Sequence, residues 1–295
     1  MALETSVTAL FVPGNRPDRF AKAAAAGADV VIIDLEDAVA PAARASALAH
    51  VVEGLAPGTG LHALVRVTAV GSPSHASEVE ALRTLAGRPG HGLAGLLLPK
   101  ADDPEAVDAL GAWFGCAVPL VLLIESAAGV QAVAQLARRP GVVRLAFGAL
   151  DFSLDVDADV ASDTVAHARS AVVIASRAAG IAAPLDTPSV EITDLAAVSA
   201  TARASRRQGF GGLLCIHPAQ VAVVHEAFRP TAEERRWAAN VVAAGEDATQ
   251  VDGRMVDRPV LERARRILSA FADVGLSVGD AGLQRVSEGE ADPHR

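Results

Sequence analysis

The sequence contains no tyrosine, and its 295 residues include only two cysteines, two methionines and 3% aromatic residues. Hydrophobic residues nevertheless make up 51% of the chain, and the mean hydropathy is +0.31. Small aliphatic side chains must therefore fill the interior, as they do in parallel strands that are buried on both faces. Cys116 and Cys215 have no Cys-x-x-Cys spacing, and we expect both to be buried small residues in a reducing compartment.

Positive charge is also scarce, because 26 Lys and Arg residues stand against 35 Asp and Glu residues, which gives a net charge of −9. This balance excludes a general nucleic-acid binder, which needs a concentrated basic surface. No apolar run approaches the roughly 20 residues that a membrane-spanning helix needs, and the N-terminus lacks the pattern of a signal peptide. We expect a cytoplasmic protein that binds neither nucleic acid nor membrane.

Short β-rich runs alternate with Ala-rich segments of helical periodicity through most of the chain. The strand starts recur every roughly 25 to 40 residues, which is the length of one βα unit. Eight such units favour an α/β fold in the form of a TIM-type (β/α)8 barrel over an open doubly wound sheet. The predicted strands are 6–11, 30–34, 63–67, 95–99, 119–124, 143–147, 181–184 and 212–216.

The pattern changes after the eighth strand, where helical segments follow one another without further strands of the barrel type. We predict a barrel domain over residues 1–228 and a C-terminal helical extension over residues 229–275. The remaining residues, 276–295, are polar and glycine-containing, and we predict a flexible tail there.

Charged residues directly follow the predicted strands, at the positions from which the βα loops of a barrel build an active site. Since these positions converge on one rim, their charges predict an enzyme. They are Asp34, Glu36 and Asp37 at the second strand, Arg66 at the third, Lys100 at the fourth, Glu125 at the fifth, Asp151 at the sixth, Asp186 at the seventh and His217 at the eighth.

Glu125 and Asp151 are the candidate metal ligands. Carboxylates at neighbouring strand ends suit a hard cation, and Mg²⁺ is typically held by one or two carboxylates together with waters and substrate oxygens. Glu125 follows the apolar run 118–124, where an unpaired carboxylate would be costly to bury. The alternative is that both acids are helix caps or loop carboxylates. Of the three acids at the second strand, some must be supporting or capping residues, since they cannot all ligate one ion.

Other rim residues have two interpretations each. Arg66 can hold a substrate carboxylate or thioester oxygen through two parallel hydrogen bonds, or it forms a structural salt bridge with a neighbouring acid. Arg16, in the turn after the first strand, is a candidate for binding phosphate or carboxylate, or it packs the turn. His217 is either an acid–base group or a structural histidine, and Gly129 and Gly148 are suited to close substrate approach.

These residues lie in segments that resemble the citrate lyase β-subunit-like family of coenzyme A ester lyases, in order from about residue 8 to 270. The matching segments are FVPGNRPDR (11–19), IDLEDAVA (33–40), VRV (65–67), LPK (98–100), LIESA (123–127), AFGALD (146–151), DTP (186–188), GFGGLLCIHPAQ (209–220) and GRMVDRP (253–259).

The resemblance implies a (β/α)8 barrel, usually in a homotrimer, and Mg²⁺-dependent cleavage of malyl-, citramalyl- or citryl-thioesters. It places Arg66 on the substrate, and it places Glu125 and Asp151 on the metal. It also implies that Glu36 and Asp37 support metal-bound waters.

The resemblance gives Asp257 a place in a C-terminal segment that lies at a subunit interface and completes a neighbouring subunit's site. We predict that Asp257 is the catalytic base, and the alternative is that it caps the last helix. The predicted site then consists of the catalytic residues Arg66, Asp257, Glu36 and Asp37, the substrate-binding residues Arg66, Glu125, Arg16 and Lys100, and the metal ligands Glu125 and Asp151.

The sequence departs from the family pattern at several positions. The family commonly has Asn at Thr68, Lys at Arg44 and often Asn at His225, and it has a Gly-Lys-aromatic run where this chain reads GLLC over 212–215. These departures bear on the acyl group and its carrier rather than on the metal site.

We therefore predict a Mg²⁺-dependent carbon–carbon lyase that cleaves or forms a short 3-hydroxyacyl thioester of coenzyme A or of an acyl carrier protein. One alternative is a metal-dependent aldolase that acts on free 4-hydroxy-2-keto acids. The segments 186–188 and 216–218 favour the thioester. The other alternative is a non-catalytic subunit of a lyase complex, and the acids at the rim argue against it.

Overall fold

The computed structural model of the protein describes residues 3–245, 250–251 and 253–276. The chain divides into two compact units, Met1–Phe228 and Arg229–Arg295. Across the described ranges, no helix is both long enough and apolar enough to cross a membrane.

The first unit is built on eight parallel strands that close into a barrel, with β8 hydrogen-bonded to β1. The predicted (β/α)8 fold is therefore confirmed. The predicted strand ends lie within about two residues of the observed ones, which is the precision expected when strands are predicted from sequence patterns. The strands are β1 (Thr8–Pro13), β2 (Val30–Asp34), β3 (Ala63–Arg66), β4 (Leu93–Leu98), β5 (Leu120–Ile124), β6 (Val142–Phe147), β7 (Ala182–Asp186) and β8 (Gly212–Cys215).

Helices connect the strands and surround the barrel, and two short 3-10 helices, Pro17–Arg19 and Pro41–Ala43, precede the first two. The helices are α1 (Phe20–Ala24), α2 (Arg44–Gly54), α3 (His75–Ala86), α4 (Pro104–Trp113), α5 (Ala127–Leu136), α6 (Ala149–Asp155), α7 (Asp163–Ala179), α8 (Leu195–Gln208) and α9 (Pro218–Phe228).

The strands are buried on both faces, which explains why they read as aliphatic runs rather than as alternating patterns. One set of side chains, including Ile32, Leu64 and Leu97, forms a cluster inside the barrel. The alternate set, including Ile33 and Val65, packs against the helices in a second, larger cluster.

The end of the barrel at which the strands begin is closed by Arg144 of β6, which is 1% exposed. Its Nη1 donates to the carbonyl oxygens of Leu3 and Ser6 at 2.7 Å, and its Nε donates to the carbonyl of Ala183 at 2.7 Å. Burial lowers the pKa of Arg144 to about 10. The N-terminal residues are thereby held beneath the barrel, and the opposite rim is left for the βα loops.

The expectation that both cysteines are buried is wrong for Cys116. Cys215 is buried in β8, but Cys116 is exposed in the loop after α4, where its φ is +55°. The loop is a tight turn at the barrel surface, so the side chain has no core to enter.

The second unit contains α10 (Ala232–Ala244), α11 (Arg258–Leu276) and a two-stranded antiparallel sheet of β9 (Gln250–Val251) and β10 (Arg254–Met255). A small core of Ala238, Val241, Val256, Leu261 and Ala264 joins the two helices. The predicted tail, 276–295, lies outside the described residues except for Leu276, and its flexibility stays a prediction.

Candidate active site

The carboxyl ends of the strands bring the predicted charged residues to one rim. Asp34 is the last residue of β2 and Arg66 the last residue of β3, and the parallel register sets these two residues opposite each other. Glu125 directly follows β5, and Asp151 lies in the first turn of α6, after β6.

Arg66 forms the centre of a buried ionic network. Its Nε and Nη2 donate to the two carboxylate oxygens of Asp34, each at 2.6 Å, and its Nη1 lies 3.3 Å from oxygens of both Glu36 and Asp37. The guanidinium also lies 4.9 Å from the ring centre of Phe11. Burial opposes the charge of Arg66, but the bonds to Asp34 outweigh it and raise the pKa. A structural salt bridge is thus present, and a substrate contact by Arg66 stays a prediction.

Asp34 organises the loop that follows β2 and is one of the supporting acids that the sequence requires. Besides holding Arg66, its carboxylate accepts the N–H groups of Glu36 and Ala38, each at 2.9 Å. Glu36 is consequently turned back towards the rim and is 4% exposed. Burial raises the pKa of Glu36 against the opposing charge of Arg66.

Lys100 connects two of the acids. Its ammonium donates to Oε1 of Glu36 at 3.0 Å, and its main-chain N–H donates to Oε1 of Glu125 at 2.9 Å. The side chain is 44% exposed, so the ammonium also reaches solvent. A direct contact of Lys100 with substrate stays a prediction.

Glu125 is 3% exposed at the end of β5, and Asp151 is half-buried. Burial, together with the charges of Glu36 and Asp151, raises the pKa of Glu125 to about 8. Gly148 makes room for this carboxylate, because a Cβ at that position would lie 2.6 Å from Oε2 of Glu125. This glycine was expected to allow close substrate approach, and its observed neighbour is Glu125 instead.

The donor set fits a divalent metal ion. Five carboxylates gather at the rim against the two cationic groups of Arg66 and Lys100, and Oε2 of Glu36 is buried with no hydrogen bond and only the 3.3 Å ion pair to Arg66. A cation would relieve this excess of negative charge. The described residues contain no group of three or more His, Cys, Asp and Glu side chains arranged for a metal. Two carboxylates are nevertheless sufficient for Mg²⁺, which keeps several waters. The five carboxylates are those of Asp34, Glu36, Asp37, Glu125 and Asp151.

A cavity of about 620 Å³ opens beside the rim, between the end of β1 and the loop after β8. Its lining includes Phe11, Arg16, Arg19, Lys22 and His217. Arg16 is paired with Asp18, at 2.7 Å between Nη2 and Oδ2, and Nδ1 of His217 accepts the N–H of Ala219 at 3.2 Å. A larger cavity of about 850 Å³ lies between α1 and α2, and none of the rim acids lines it.

Asp186 has a structural partner rather than a place among the acids of the network. It is fully buried at the end of β7 and forms an ion pair with Arg169 of α7. Its other oxygen accepts the N–H of Thr187 at 2.9 Å. This pair fixes α7 against the end of its strand.

Asp257, in the second unit, is exposed and has the geometry of a helix cap. Its Oδ1 accepts the N–H of Val260 at 3.1 Å, in the first turn of α11. The capping interpretation is therefore what the structure shows of this residue, and its catalytic role stays a prediction.

Sequence reasoning missed Glu78, which lies on α3 and is 1% exposed. Its Oε2 accepts the N–H of Thr68 at 2.7 Å and the hydroxyl of Thr68 at 3.0 Å, while Nδ1 of His75 donates to the Thr68 carbonyl at 2.6 Å. Burial raises the pKa of Glu78 against the opposing hydrogen bonds from Thr68 and the weaker effect of the Arg44 charge. One departure from the family pattern, Thr68, therefore binds a buried acid directly, and a second, Arg44, adds a weaker electrostatic effect. The sequence signal that could have identified Glu78 is an acidic residue next to the apolar face of helix α3.

The chain is similar to known proteins over most of its length. The family model described as HpcH/HpaI aldolase/citrate lyase matches residues 8–218. A citrate lyase subunit beta-like protein of Mycobacterium tuberculosis is 36% identical over 269 residues, which cover 88% of this chain and 93% of that protein. An L-malyl-CoA/beta-methylmalyl-CoA lyase of Cereibacter sphaeroides is 33% identical over an alignment of 300 positions, gaps included, which covers 88% of this chain and 92% of that protein.

Among solved structures, the protein CitE of Mycobacterium tuberculosis in complex with magnesium, acetoacetate and coenzyme A superposes with a TM-score of 0.80. It is 33% identical, and the alignment covers 92% of this chain and 100% of that chain.

Proposed function

Because the chain belongs to the HpcH/HpaI aldolase/citrate lyase family, we propose that it is a Mg²⁺-dependent carbon–carbon lyase acting on short 3-hydroxyacyl thioesters of coenzyme A. The substrates are of the malyl-, citramalyl- or citryl-CoA type, and the products are a keto acid and an acetyl thioester. The observation that carries this proposal is the rim network, in which carboxylates exceed cations around Glu125. The magnesium and coenzyme A bound by a related protein support it.

In this proposal Glu125 and Asp151 would hold the metal ion. When bound, a divalent ion polarises substrate oxygens and lowers the pKa of a hydroxyl group. The Lys100 N–H fixes one oxygen of Glu125, and the burial of Glu125 keeps bulk water away from its carboxylate. Glu36 and Asp37 would accept hydrogen bonds from waters bound to the ion.

Arg66 stabilises negative charge as the carbon–carbon bond breaks. Asp34 occupies the Nε and Nη2 edge at 2.6 Å, whereas Nη1 lies 3.3 Å from the nearest oxygens of Glu36 and Asp37. The longer contacts are the weaker ones, so Nη1 is the atom that we assign to the substrate.

Asp257, contributed by a neighbouring subunit of a homotrimer, is our candidate base. Its carboxylate takes the proton of the substrate 3-hydroxyl group as that oxygen becomes a carbonyl. The electron pair of the broken bond passes to the thioester α-carbon, and a proton from water gives the acetyl thioester. Asp257 releases the proton that it took from the hydroxyl group to the solvent, so the proton count is unchanged across the reaction.

The cationic residues that line the cavity beside the rim favour coenzyme A as the carrier of the acyl group. Arg16, Arg19 and Lys22 contribute cationic side chains to it, and such groups bind phosphate. Since the whole chain carries a net charge of −9, a local basic site of this kind is what an anionic carrier requires.

A second candidate is an aldolase acting on free 4-hydroxy-2-keto acids, because the matching family model also covers aldolases. The two candidates are separated by supplying hydroxyacyl-CoA esters and free hydroxy-keto acids in parallel. Release of acetyl-CoA identifies the first, and release of pyruvate from the free acids identifies the second.

Metal dependence tests both candidates. We expect Glu125→Gln and Asp151→Asn each to abolish turnover while circular dichroism stays unchanged, because each variant removes an anionic ligand. Glu53→Gln is the matched control, since it neutralises an exposed acid on α2 away from the rim. Full activity of the unchanged protein after exhaustive chelation would contradict the metal site.

A further inference from the structure

Lys100 has a backbone conformation that lysine seldom adopts. Its φ is +48°, in the left-handed region that favours glycine. Among the non-glycine residues that the structure describes, only Cys116 and Asp157 share a positive φ. Lys100 follows Pro99 directly after the end of β4, at the rim. A non-glycine residue in this conformation is held there by its surroundings, and such positions are common in functional sites.

The left-handed turn directs two consecutive N–H groups towards β5. The N–H of Lys100 donates to Oε1 of Glu125 at 2.9 Å, and the N–H of Ala101 donates to the carbonyl of Leu123 at 3.2 Å. The second bond ties the turn to the neighbouring strand, so the first bond has a fixed direction. Within the described ranges, the Lys100 N–H is the one hydrogen-bond donor to the Glu125 carboxylate.

The side chain of Lys100 has a different partner. Its Nζ lies 3.0 Å from Oε1 of Glu36, whose other oxygen lies 3.3 Å from Nη1 of Arg66. The ammonium therefore holds Glu36 against Arg66, in the loop that follows β2. Glycine would satisfy the backbone at position 100 but supplies no ammonium, which accounts for the presence of lysine in a strained conformation.

We propose that Lys100 is a positioning residue whose two halves have separate tasks. Its left-handed main chain fixes the direction of the Glu125 carboxylate towards the metal position. Its ammonium sets the position of Glu36 beside Arg66. This inference rests on the proposed function and differs from the direct substrate contact that the sequence predicts for Lys100.

Two variants isolate the task of the main chain, because both lack the ammonium and they differ in backbone preference. Lys100→Gly adopts a positive φ without strain, whereas Lys100→Val is disfavoured there since its side chain branches at Cβ. We expect Lys100→Val to bind Mn²⁺ at least about tenfold more weakly than Lys100→Gly in titration calorimetry. Circular dichroism checks the fold of both, and Lys100→Ala replaces the valine variant in the comparison if the latter does not fold.

Equal Mn²⁺ affinities for the two folded variants would overturn the main-chain task. The unchanged protein is measured alongside them. If it binds no Mn²⁺, the proposed metal-dependent function fails, whereas binding by the unchanged protein with equal affinities in the variants refutes this inference alone.

The task of the ammonium is tested by comparing Lys100→Gly with Lys100→Arg, which keeps a cation within reach of Glu36. We expect Lys100→Gly to lower kcat by about tenfold with KM little changed, and Lys100→Arg to recover part of the loss. A raised KM with unchanged kcat would assign Lys100 to direct substrate binding and overturn the proposal. So would a lowered Tm with unchanged kcat, which is the result of a purely structural role.

Discussion

Arg66 and Asp34 show how much of a site a strand register decides. The sequence places Arg66 at a strand end with three acids at the strand before it, and it does not say which acid is the partner. The parallel pairing of β2 with β3 sets Asp34 opposite Arg66, so Asp34 takes the two short bonds. Glu36 and Asp37 are left at 3.3 Å. Register is a property of two strands together, and neither strand alone reveals it.

A lysine at position 66 cannot reproduce this geometry, because an ammonium is a point donor and the guanidinium is a planar fork. We expect Arg66→Lys to lower kcat/KM by at least about tenfold, which corresponds to about 1.4 kcal/mol of transition-state stabilisation. Steady-state kinetics with the preferred hydroxyacyl-CoA provides the measurement.

The control for this substitution is Arg83→Lys. Arg83 holds Glu80 through Nε and Nη2 on the exposed face of α3, in the same two-bond arrangement but away from the rim. Arg83→Lys should leave kcat/KM unchanged. Near-normal kinetics in Arg66→Lys would return Arg66 to a purely structural role.

The βα turns contain the structural features that the sequence pattern did not predict. The alternation of short aliphatic runs with helical segments located the strands, because a short aliphatic run between polar segments is typical of a buried strand. It did not reveal the left-handed conformation of Lys100 or the clamp of Glu78 on Thr68. Both depend on tertiary contacts between a loop and its neighbours, and no local propensity encodes them.

Asp29 links three elements at the closed end of the barrel. Its Oδ2 accepts the N–H groups of Val7 and Thr8, at 2.8 and 2.9 Å, and it lies 2.9 Å from Nε2 of His225 on α9. Its charge also acts on the buried Arg144. Burial alone would raise the pKa of Asp29, but the hydrogen bonds from His225, Thr8 and Val7 outweigh burial and lower it to about 2.

A carboxyl group with a depressed pKa stabilises the folded state above its unfolded value of 3.8, and this contribution is lost as the pH falls through about 2. Asp29→Asn removes the titrating charge. We therefore expect the unchanged protein to exceed Asp29→Asn in free energy of unfolding at neutral pH, and the difference to shrink as the pH falls towards 2. Urea denaturation at a series of pH values measures this difference.

Asp102→Asn, which neutralises an exposed aspartate, serves as the reference for a general charge effect. The Asp29 link would be contradicted if the difference between the unchanged protein and Asp29→Asn stayed constant over the whole pH range.

The barrel was predictable because the alternation of strand and helix repeats eight times along the chain. An error at the end of a single strand does not change the number of βα units. The division near residue 228 coincides with the point at which that pattern stops. The sequence did not determine the role of the second unit, because Asp257 is consistent with both a helix cap and a base contributed to a neighbouring subunit. The sequence of one chain does not show which residues of two subunits would meet at a shared site.

Asp257→Asn separates these roles. Loss of a cap should cost about 0.5–2 kcal/mol of stability and spare catalysis. A shared-site base instead predicts a variant that folds and assembles normally but does not turn over substrate. We expect the second result. After dissociation and reassembly, a mixture of the inactive Asp257→Asn and Glu125→Gln proteins should regain activity, because about a quarter of the sites carry both intact residues in a random mixture.

Each variant reassembled with itself is the control for this mixing experiment and should stay inactive. No regain of activity in verified mixed oligomers would rule out the shared site. Full activity of Asp257→Asn would leave the residue with its cap alone.

The close approach of Gly148 to Glu125 limits how this site can change over generations. A Cβ at position 148 would lie 2.6 Å from Oε2 of Glu125 and 2.8 Å from its Cβ, so a side chain at position 148 conflicts with the glutamate. Replacing the glutamate with a shorter residue removes the first contact, but every residue except glycine keeps the second. A chain that gains a side chain at position 148 must therefore shift its backbone between the ends of β5 and β6. Restoring the glutamate alone does not then return the carboxylate to its place, so the order of substitutions decides whether the site can be recovered.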